Sequence, residues 1–193
     1  MNARVSVVEA LEGLPLPDEG RLILACIEGP GGSGKSTLAD GIAQACPGLV
    51  TVVHGDDFYG PEDRDWPRWT AEEGYLRYFD HRRLERELLQ PLRRGETARF
   101  RRYDWSTDSL DGLLEVRPCG IVLVEGVYLL RRYLRRYWDF SIYVDTPREV
   151  RLARASARGE NDAGWIARWV AAEDHYDAVE RPAAAADLIV DGF

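Results

Sequence analysis

Uninterrupted apolar runs recur along the chain, and each is short enough to be a single β-strand. Runs at residues 22–27, 49–53, 121–124 and 138–144 predict strands buried on both faces, and residues 188–190 predict a short last strand. Segments with helical character lie between them. Strands that alternate with helices are typical of a parallel sheet covered on both faces, so the pattern predicts an α/β protein.

The segments between these strands predict helices, a hairpin and two loops. The helices are expected at residues 36–45, 80–89, 147–157 and 165–179. Residues 97–105 and 113–116 are expected to pair as a hairpin. Residues 60–74, with two prolines and two tryptophans, are expected to form a loop excursion or a small lid-like subdomain, and residues 183–186 a short loop.

Length and composition fit one globular domain. The chain has 193 residues, of which 45% are hydrophobic and 30% charged. No apolar run is long enough to span a membrane, and residues 1–17 lack the pattern of an export signal, so we expect a cytoplasmic protein. A net charge of −8 argues against a nucleic acid polymer as partner. The widely separated Cys26, Cys46 and Cys119 are expected to be free thiols.

The first predicted strand is followed by a segment that matches a phosphate-binding loop. Residues 29–36 read G-P-G-G-S-G-K-S and fit G-x-x-x-x-G-K-[ST]. Glycines let backbone amides surround phosphate oxygens, and the following helix points its positive dipole end at the same anion. The loop predicts ATP binding, with Lys35 at the phosphates and Ser36 as a ligand of Mg²⁺. The predicted nucleotide-binding residues are Gly29, Gly31, Gly32, Ser33, Gly34, Lys35, Ser36 and Thr37.

Acidic residues follow two predicted strands, at the ends where open parallel sheets bind ligands. Asp56 and Asp57 come after residues 49–53, and Glu125 follows residues 121–124. Glu125 has the position of a Walker B acid, which holds Mg²⁺ directly or through water; a solvated strand end is the alternative. Asp56 is either a base that accepts the proton of an attacking hydroxyl or a turn residue, and the local pattern favours neither.

Several segments resemble the uridine kinase family, including its nicotinamide riboside kinase relatives. In the family's order they are GGSGKSTLA at 31–39, DDFY at 56–59, FDH at 79–81, YDW at 103–105, VEGVY at 124–128 and VDT at 144–146. The likeness spans roughly residues 22–192, nearly the whole chain. It implies a P-loop NTPase three-layer fold with a central parallel sheet and a helical lid at about 147–170. We expect a single domain over residues 1–193, with residues 1–20 as an N-terminal extension.

The resemblance implies a kinase that transfers a phosphoryl group from ATP, with Mg²⁺, to the hydroxyl of a small molecule such as uridine or cytidine. It implies that Asp56 is the general base and that Asp80 accepts hydrogen bonds from the ribose hydroxyls. Tyr103 would contact the base or the sugar. Tyr59 belongs to a group of aromatic residues that are candidates to stack on a planar base, although packing in the core is the commoner role.

The resemblance also gives Arg151 and Arg154 the role of stabilising the transferred phosphoryl group. With Arg158 they are spaced i, i+3 and i+7, which places all three on one helix face. Arginines on a closing lid stabilise the loose transition state and exclude water. For Arg158, a solvated helix face is an equally good interpretation.

Two positions depart from the family pattern and leave the acceptor open. Asp108 stands where pyrimidine kinases carry a histidine that reads the base, and Arg82 replaces the proline after Phe-Asp-His. Nicotinamide riboside, pantothenate, glycerate or a sugar phosphate are the alternative acceptors. A phosphorylated acceptor would need extra cations, which the cluster of Arg82, Arg83 and Arg86 would supply unless it is a solvated helix face.

Two other classes fit the sequence less well. A GTPase switch needs an Asn-Lys-x-Asp motif, and the only lysine among the 25 basic residues is Lys35 in the loop. A non-catalytic ATP-binding scaffold has no use for a base, yet the chain carries Asp56 and Glu125 as well as the loop. A homo-oligomer is compatible with the sequence.

Overall fold

A five-stranded parallel sheet forms the centre of the structure, a computed structural model that describes residues 7–9, 22–60, 66–159 and 162–192. The strands in chain order are β1 Leu22–Glu28, β2 Val50–His54, β3 Ala98–Asp104, β4 Ser109–Val116, β5 Gly120–Gly126, β6 Phe140–Asp145 and β7 Leu188–Asp191. The sheet has the order β2-β5-β1-β6-β7, and every neighbouring pair is parallel. A separate antiparallel hairpin joins β3 to β4.

Both faces of the sheet are buried because its central strands are apolar almost throughout. In β1 and β5 every residue after the first is buried. Side chains alternate between the faces, so Leu24 and Cys26 enter one apolar cluster, while Ala25 and Ile27 enter the other. This continuous burial is typical of parallel sheets and confirms the predicted α/β class.

Helices cover both faces. They are α1 Lys35–Ala45, α2 Ala71–Arg77, the composite α3 at residues 81–93, α4 Arg148–Arg158, α5 Ala163–Glu180 and α6 Pro182–Ala185. Leu38 and Ile42 of α1 pack on one face of the sheet, and Leu84 and Leu88 of α3 pack on the other. Val7, within the predicted N-terminal extension, is buried in the same cluster as α1.

The composite helix α3 changes its hydrogen-bond pattern in the middle. It consists of α-helical His81–Arg83, π-helical Leu84–Leu89 and α-helical Gln90–Arg93. The amide of Gln90 bonds to the carbonyl of Glu85, five residues earlier. Pro91 follows directly and has no amide to donate, so the wider turn accommodates a proline that a regular α-helix would not tolerate here.

The strands and helices predicted from the sequence are present with shifts of a few residues at their ends, and two segments differ. The predicted loop at 183–186 falls in α6, which starts with Pro182 in the first turn, where a proline is tolerated. Within the predicted excursion at 60–74, residues 61–65 lie outside the described residues. The rest forms the turn Trp66–Arg68 and the start of α2. Thr70 and Glu73 form a capping box at the N-terminus of α2.

Substituting Gly192 with alanine should destabilise the protein and disturb the loop after β1. A Cβ on Gly192 would lie 1.5 Å from Thr146 Oγ1 and 2.6 Å from the carbonyl oxygen of Ser33. We expect Gly192→Ala to lower the free energy of unfolding by about 1–3 kcal/mol in urea denaturation. Gly164→Ala, in the first turn of α5, meets only the ends of polar side chains and should be nearly neutral. Equal stability of the two variants would contradict this packing.

Candidate active site

The loop at residues 29–36 joins β1 to α1, and its shape requires glycine. Gly32 and Gly34 have φ angles of 76° and 99°, in the left-handed region that other residues rarely adopt. A Cβ on Gly32 would also lie 3.0 Å from the carbonyl oxygen of Arg151. Gly34 is the N-cap of α1 and contributes no side-chain hydrogen bond, and the first turn of α1 contains no acid. A helix N-terminus of this kind suits a phosphate.

The side chains of this loop divide between surface and interior. Ser36 and Thr37 are exposed in the first turn of α1. Lys35 is buried, and its Nζ donates a hydrogen bond to the carbonyl oxygen of Pro30 at 3.0 Å. Ser33 is fully buried, so its hydroxyl does not line the open side of the loop. The uncapped helix, the lysine and the exposed serine fit a triphosphate with Mg²⁺.

The acids at the strand ends come together beside the loop. β5 lies between β1 and β2, and the register places His54 opposite Glu125. The turn Gly55–Phe58 follows β2 directly and carries Asp56. A Cβ on Gly55 would lie 3.0 Å from the carbonyl oxygen of Glu125, so this turn passes close to the end of β5. The parallel register thereby joins residues that are about seventy positions apart in the chain.

The charges of these groups influence one another. The buried Glu125 bonds to His54 Nδ1 at 2.8 Å, which raises the pKa of His54. Burial raises the pKa of Asp56, the charge of Glu125 raises it further, and Lys35 and His54 act in the opposite direction. Asp56 keeps solvent-accessible surface, although neighbouring protein atoms crowd its carboxylate and disfavour the charged form. A carboxylate with a raised pKa is a better proton acceptor.

Asp80 has a structural partner as well as a place near the acids. Its Oδ1 accepts a hydrogen bond from the amide of Arg83 at 2.8 Å and so caps α3. Its own amide donates to the carbonyl of Phe58 at 2.9 Å, which ties it to the turn that carries Asp56. A cavity of about 580 Å³ opens beside Asp80 and is lined in part by Arg82.

The predicted aromatic residues form a cluster at the hairpin. The ring of Tyr59 lies 5.0 Å from that of Tyr103 and 4.3 Å from that of Trp105, between centroids. The hydroxyl of Tyr103 donates a hydrogen bond to Asp108. The residue at the position of the family's base-reading histidine therefore holds a tyrosine, while Trp105 remains 56% exposed.

Both predicted lid arginines contact the loop region. Arg154 Nη1 donates to the carbonyl oxygen of Gly32 at 2.8 Å. Arg151 donates from Nε to the carbonyl oxygen of Thr146 at 3.2 Å and from Nη1 to Glu173 Oε2 at 3.0 Å. The side chain of Arg158 lies outside the described part of the structure. Two of the three arginines on the predicted helix face thus reach the loop or its neighbours.

Three residues of this region were missed by the sequence analysis: Glu28, His54 and Glu173. The sequence carries a signal for Glu28, because a single acid at the end of an apolar strand must be buried or used. His54 lies two positions before Asp56, at the end of the same predicted strand. Glu173 has no comparable signal, since a glutamate in the middle of a helix is ordinary.

Glu28 connects the loop to the segment after β5. The side chain is 1% exposed, and its two oxygens accept hydrogen bonds at 2.5–3.2 Å. Burial raises the pKa of Glu28 to about 7, although Lys35 and the backbone donors favour its charged form. The donors are the amides of Gly29, Tyr128, Leu129 and Leu130 and the hydroxyl of Tyr176.

Glu28 should make the stability of the protein depend on pH near neutrality. With a pKa of about 7, the folded chain binds a proton that the unfolded chain releases above about pH 4.5. The free energy of unfolding should therefore fall by about 1–3 kcal/mol between pH 5.5 and 8 relative to that of Glu28→Gln. Urea denaturation at several pH values measures this. Parallel pH curves for the two proteins would contradict the shift, and the exposed Glu115→Gln should follow the wild type.

The sheet order, the loop after β1 and the acids after β2 and β5 are the features of a P-loop kinase. Comparison with known proteins agrees. A uridine kinase of Staphylococcus aureus (strain JH9) is 28% identical over 145 residues, which cover 72% of this chain and 69% of that protein. A possible uridine kinase from Bacillus stearothermophilus superposes with a TM-score of 0.76 at 25% identity, over 98% of both chains.

The family itself is shown by a match over residues 67–192 to the profile of the Phosphoribulokinase / Uridine kinase family. The chain belongs to this family, as its resemblance to uridine kinases predicted, and it is a phosphotransferase. A candidate fructose transport system kinase from Silicibacter sp. TM1040 has a TM-score of 0.70 at 29% identity, over 98% of this chain and 99% of that one. The solved structures that resemble this chain therefore include kinases that are named differently.

Two further observations concern only the described residues. None of their helices is long and apolar enough to cross a membrane. They also contain no group of three or more His, Cys, Asp or Glu side chains placed to hold a metal ion. Mg²⁺ in phosphoryl transfer enzymes is commonly held by one or two protein oxygens together with phosphates and water, so such a group is not required.

Proposed function

We propose that this protein transfers the γ-phosphoryl group of ATP to the 5′-hydroxyl of a nucleoside such as uridine or cytidine, with Asp56 as general base. The main support is the meeting of Asp56, Glu125 and Lys35 beside an uncapped helix N-terminus. A P-loop alone serves many reactions, but an acid with a raised pKa next to the phosphate site favours proton abstraction from an acceptor.

The nucleotide side of the reaction uses the loop. Backbone amides of Gly32 and of residues 34–37 would surround the phosphates, and Lys35 would neutralise the β- and γ-phosphates. Ser36 and Glu125 would hold Mg²⁺, which supplies charge neutralisation at the phosphates when bound. Arg151 and Arg154 would stabilise the transferred group, since Arg154 donates to Gly32 of the loop and Arg151 pairs with Glu173, which bonds to the amide of Gly31.

The acceptor side lies toward the hairpin and α3. The cavity beside Asp80, about 580 Å³, is within the range of small-molecule sites. Asp80 would accept hydrogen bonds from ribose hydroxyls with the oxygen that does not cap α3. Tyr59 and Tyr103 would contact the base or the sugar from the aromatic cluster. These assignments make the 5′-hydroxyl the group that faces Asp56.

A second candidate keeps the chemistry and changes the acceptor to nicotinamide riboside, pantothenate, glycerate or a sugar phosphate. This candidate is favoured because Asp108 stands where pyrimidine kinases carry a base-reading histidine, and here it accepts a hydrogen bond from the hydroxyl of Tyr103. A phosphorylated acceptor receives less support, because the three arginines do not converge. Arg83 points inward to the carbonyls of Arg101 and Asp57, whereas Arg86 pairs with Glu87.

Asp56→Asn should abolish most of the turnover and leave nucleotide binding intact. The amide cannot accept the hydroxyl proton, so we expect kcat to fall about 10²–10⁴-fold. ATP affinity from isothermal titration should change little, because Lys35 and the loop remain. Asp57→Asn is the matched control one residue away and should keep most of the activity. Retained turnover in Asp56→Asn would rule out the base assignment.

The acceptor is identified by measuring ATP consumption against a panel of nucleosides, vitamins and sugar acids. Uridine or cytidine should be phosphorylated at the 5′-position, as checked by mass spectrometry and NMR. If uridine and cytidine both fail while nicotinamide riboside, pantothenate, glycerate or a sugar phosphate is consumed, the second candidate replaces the first.

A further inference from the structure

The buried carboxylate of Glu173, in the middle of α5, links the loop after β1 to a lid arginine. One oxygen, Oε1, accepts hydrogen bonds from the amide of Gly31 at 2.5 Å and from Trp169 Nε1 at 2.8 Å. The other, Oε2, accepts one from Arg151 Nη1 at 3.0 Å. We propose that Glu173 is a positioning residue that fixes the guanidinium of Arg151 beside the phosphate-binding loop for phosphoryl transfer.

The guanidinium of Arg151 is held at two of its three nitrogens. Nη1 bonds to Glu173, and Nε bonds to the carbonyl oxygen of Thr146 at 3.2 Å. A planar group anchored at two points cannot rotate, and Nη2 takes part in neither of these contacts. Positioning of this kind contributes to catalysis because the arginine need not be ordered during the reaction.

Burial makes this ion pair more important than a surface pair. The side chains of Arg151 and Glu173 are 11% and 7% exposed. Removing one partner would leave the other as an uncompensated buried charge. Burial raises the pKa of Glu173, while the Gly31 amide, Arg151 and Lys35 favour its charged form. The influence of Lys35 places Glu173 in the electrostatic field of the phosphate site.

The packing of Glu173 and Trp169 against the loop leaves little space for a side chain at position 31. A Cβ on Gly31 would lie 3.1 Å from Glu173 Oε1 and 3.2 Å from Trp169 Nε1. Trp169 precedes Glu173 by one helical turn and stacks on Tyr78 with ring centroids 5.0 Å apart. The carboxylate is therefore held from its own helix, and glycine at position 31 allows it to reach the backbone of the loop.

A double-mutant cycle between Glu173 and Arg151 tests the inference, which rests on the proposed kinase function. Glu173→Gln keeps an oxygen for Gly31 but loses the ion pair, so kcat should fall about 10–100-fold, with KM for ATP changed less than about threefold. Arg151→Met should lower kcat at least as much. If Glu173 acts through Arg151, the double variant should be no slower than Arg151→Met alone.

Stability supplies a second measurement that needs no acceptor. Arg151→Met leaves Glu173 charged and unpaired, so adding Glu173→Gln should recover part of the lost Tm. The matched control is Glu180→Gln on the same helix, whose carboxylate bonds to Tyr75 and the amide of Arg132. It should lower Tm without changing kcat or KM.

Failure of this inference can be told apart from failure of the proposed function. If the wild type phosphorylates no acceptor, the proposed function fails on its own, and the stability cycle still tests the coupling of Glu173 to Arg151. Unchanged kcat in Glu173→Gln, or losses that multiply in the double variant, would overturn the positioning role. Tighter ATP binding by Glu173→Gln would also overturn it, because the carboxylate would then be a competitor of phosphate.

Discussion

The parallel pairing of β1 with β5 is the constraint on which the rest of the site depends. Their register sets Glu28 opposite Gly126, so the loop after β1 starts beside the end of β5. β2 pairs on the far side of β5, and its last residue, His54, stands opposite Glu125. Three chain segments therefore leave the sheet at the same edge. Their positions are secured by the apolar side chains of the two buried clusters and by the hydrogen bonds of the ladder.

Each buried acid at this edge of the sheet has fixed hydrogen-bond or ion-pair partners, an arrangement that would suit a bound polyanion. Glu28 is enclosed by backbone donors, Glu125 bonds to His54, and Glu173 pairs with Arg151. Lys35 influences the pKa values of Glu28 and Glu173. Oriented charges with fixed partners need little rearrangement when a substrate binds, and this is the main source of catalysis in phosphoryl transfer. The carboxylates of Glu28 and Glu173 also connect the loop to the segment after β5 and to Arg151 of α4.

Much of the fold could be predicted because its signals are local. The apolar runs became β1, β2, β5 and β6, and the glycine-rich match became the loop with its left-handed residues. A helix was predicted at residues 80–89, but the π-helical segment of α3 was not, because a change of hydrogen-bond pattern has no signal in the apolar spacing. The segment at 183–186 was wrong as a loop, since a proline at the start of a helix reads like a turn signal.

The sequence by itself determined the α/β class, the loop, its lone lysine and the acids at the strand ends, because each depends on residue type and on spacing within a short segment. Only the tertiary structure decided which distant groups meet. It brought His54 to Glu125, Arg154 to Gly32, and Glu173 to Gly31, 142 positions away. Such contacts depend on how the helices pack against the sheet, and the burial of a single helical carboxylate cannot be read from local composition.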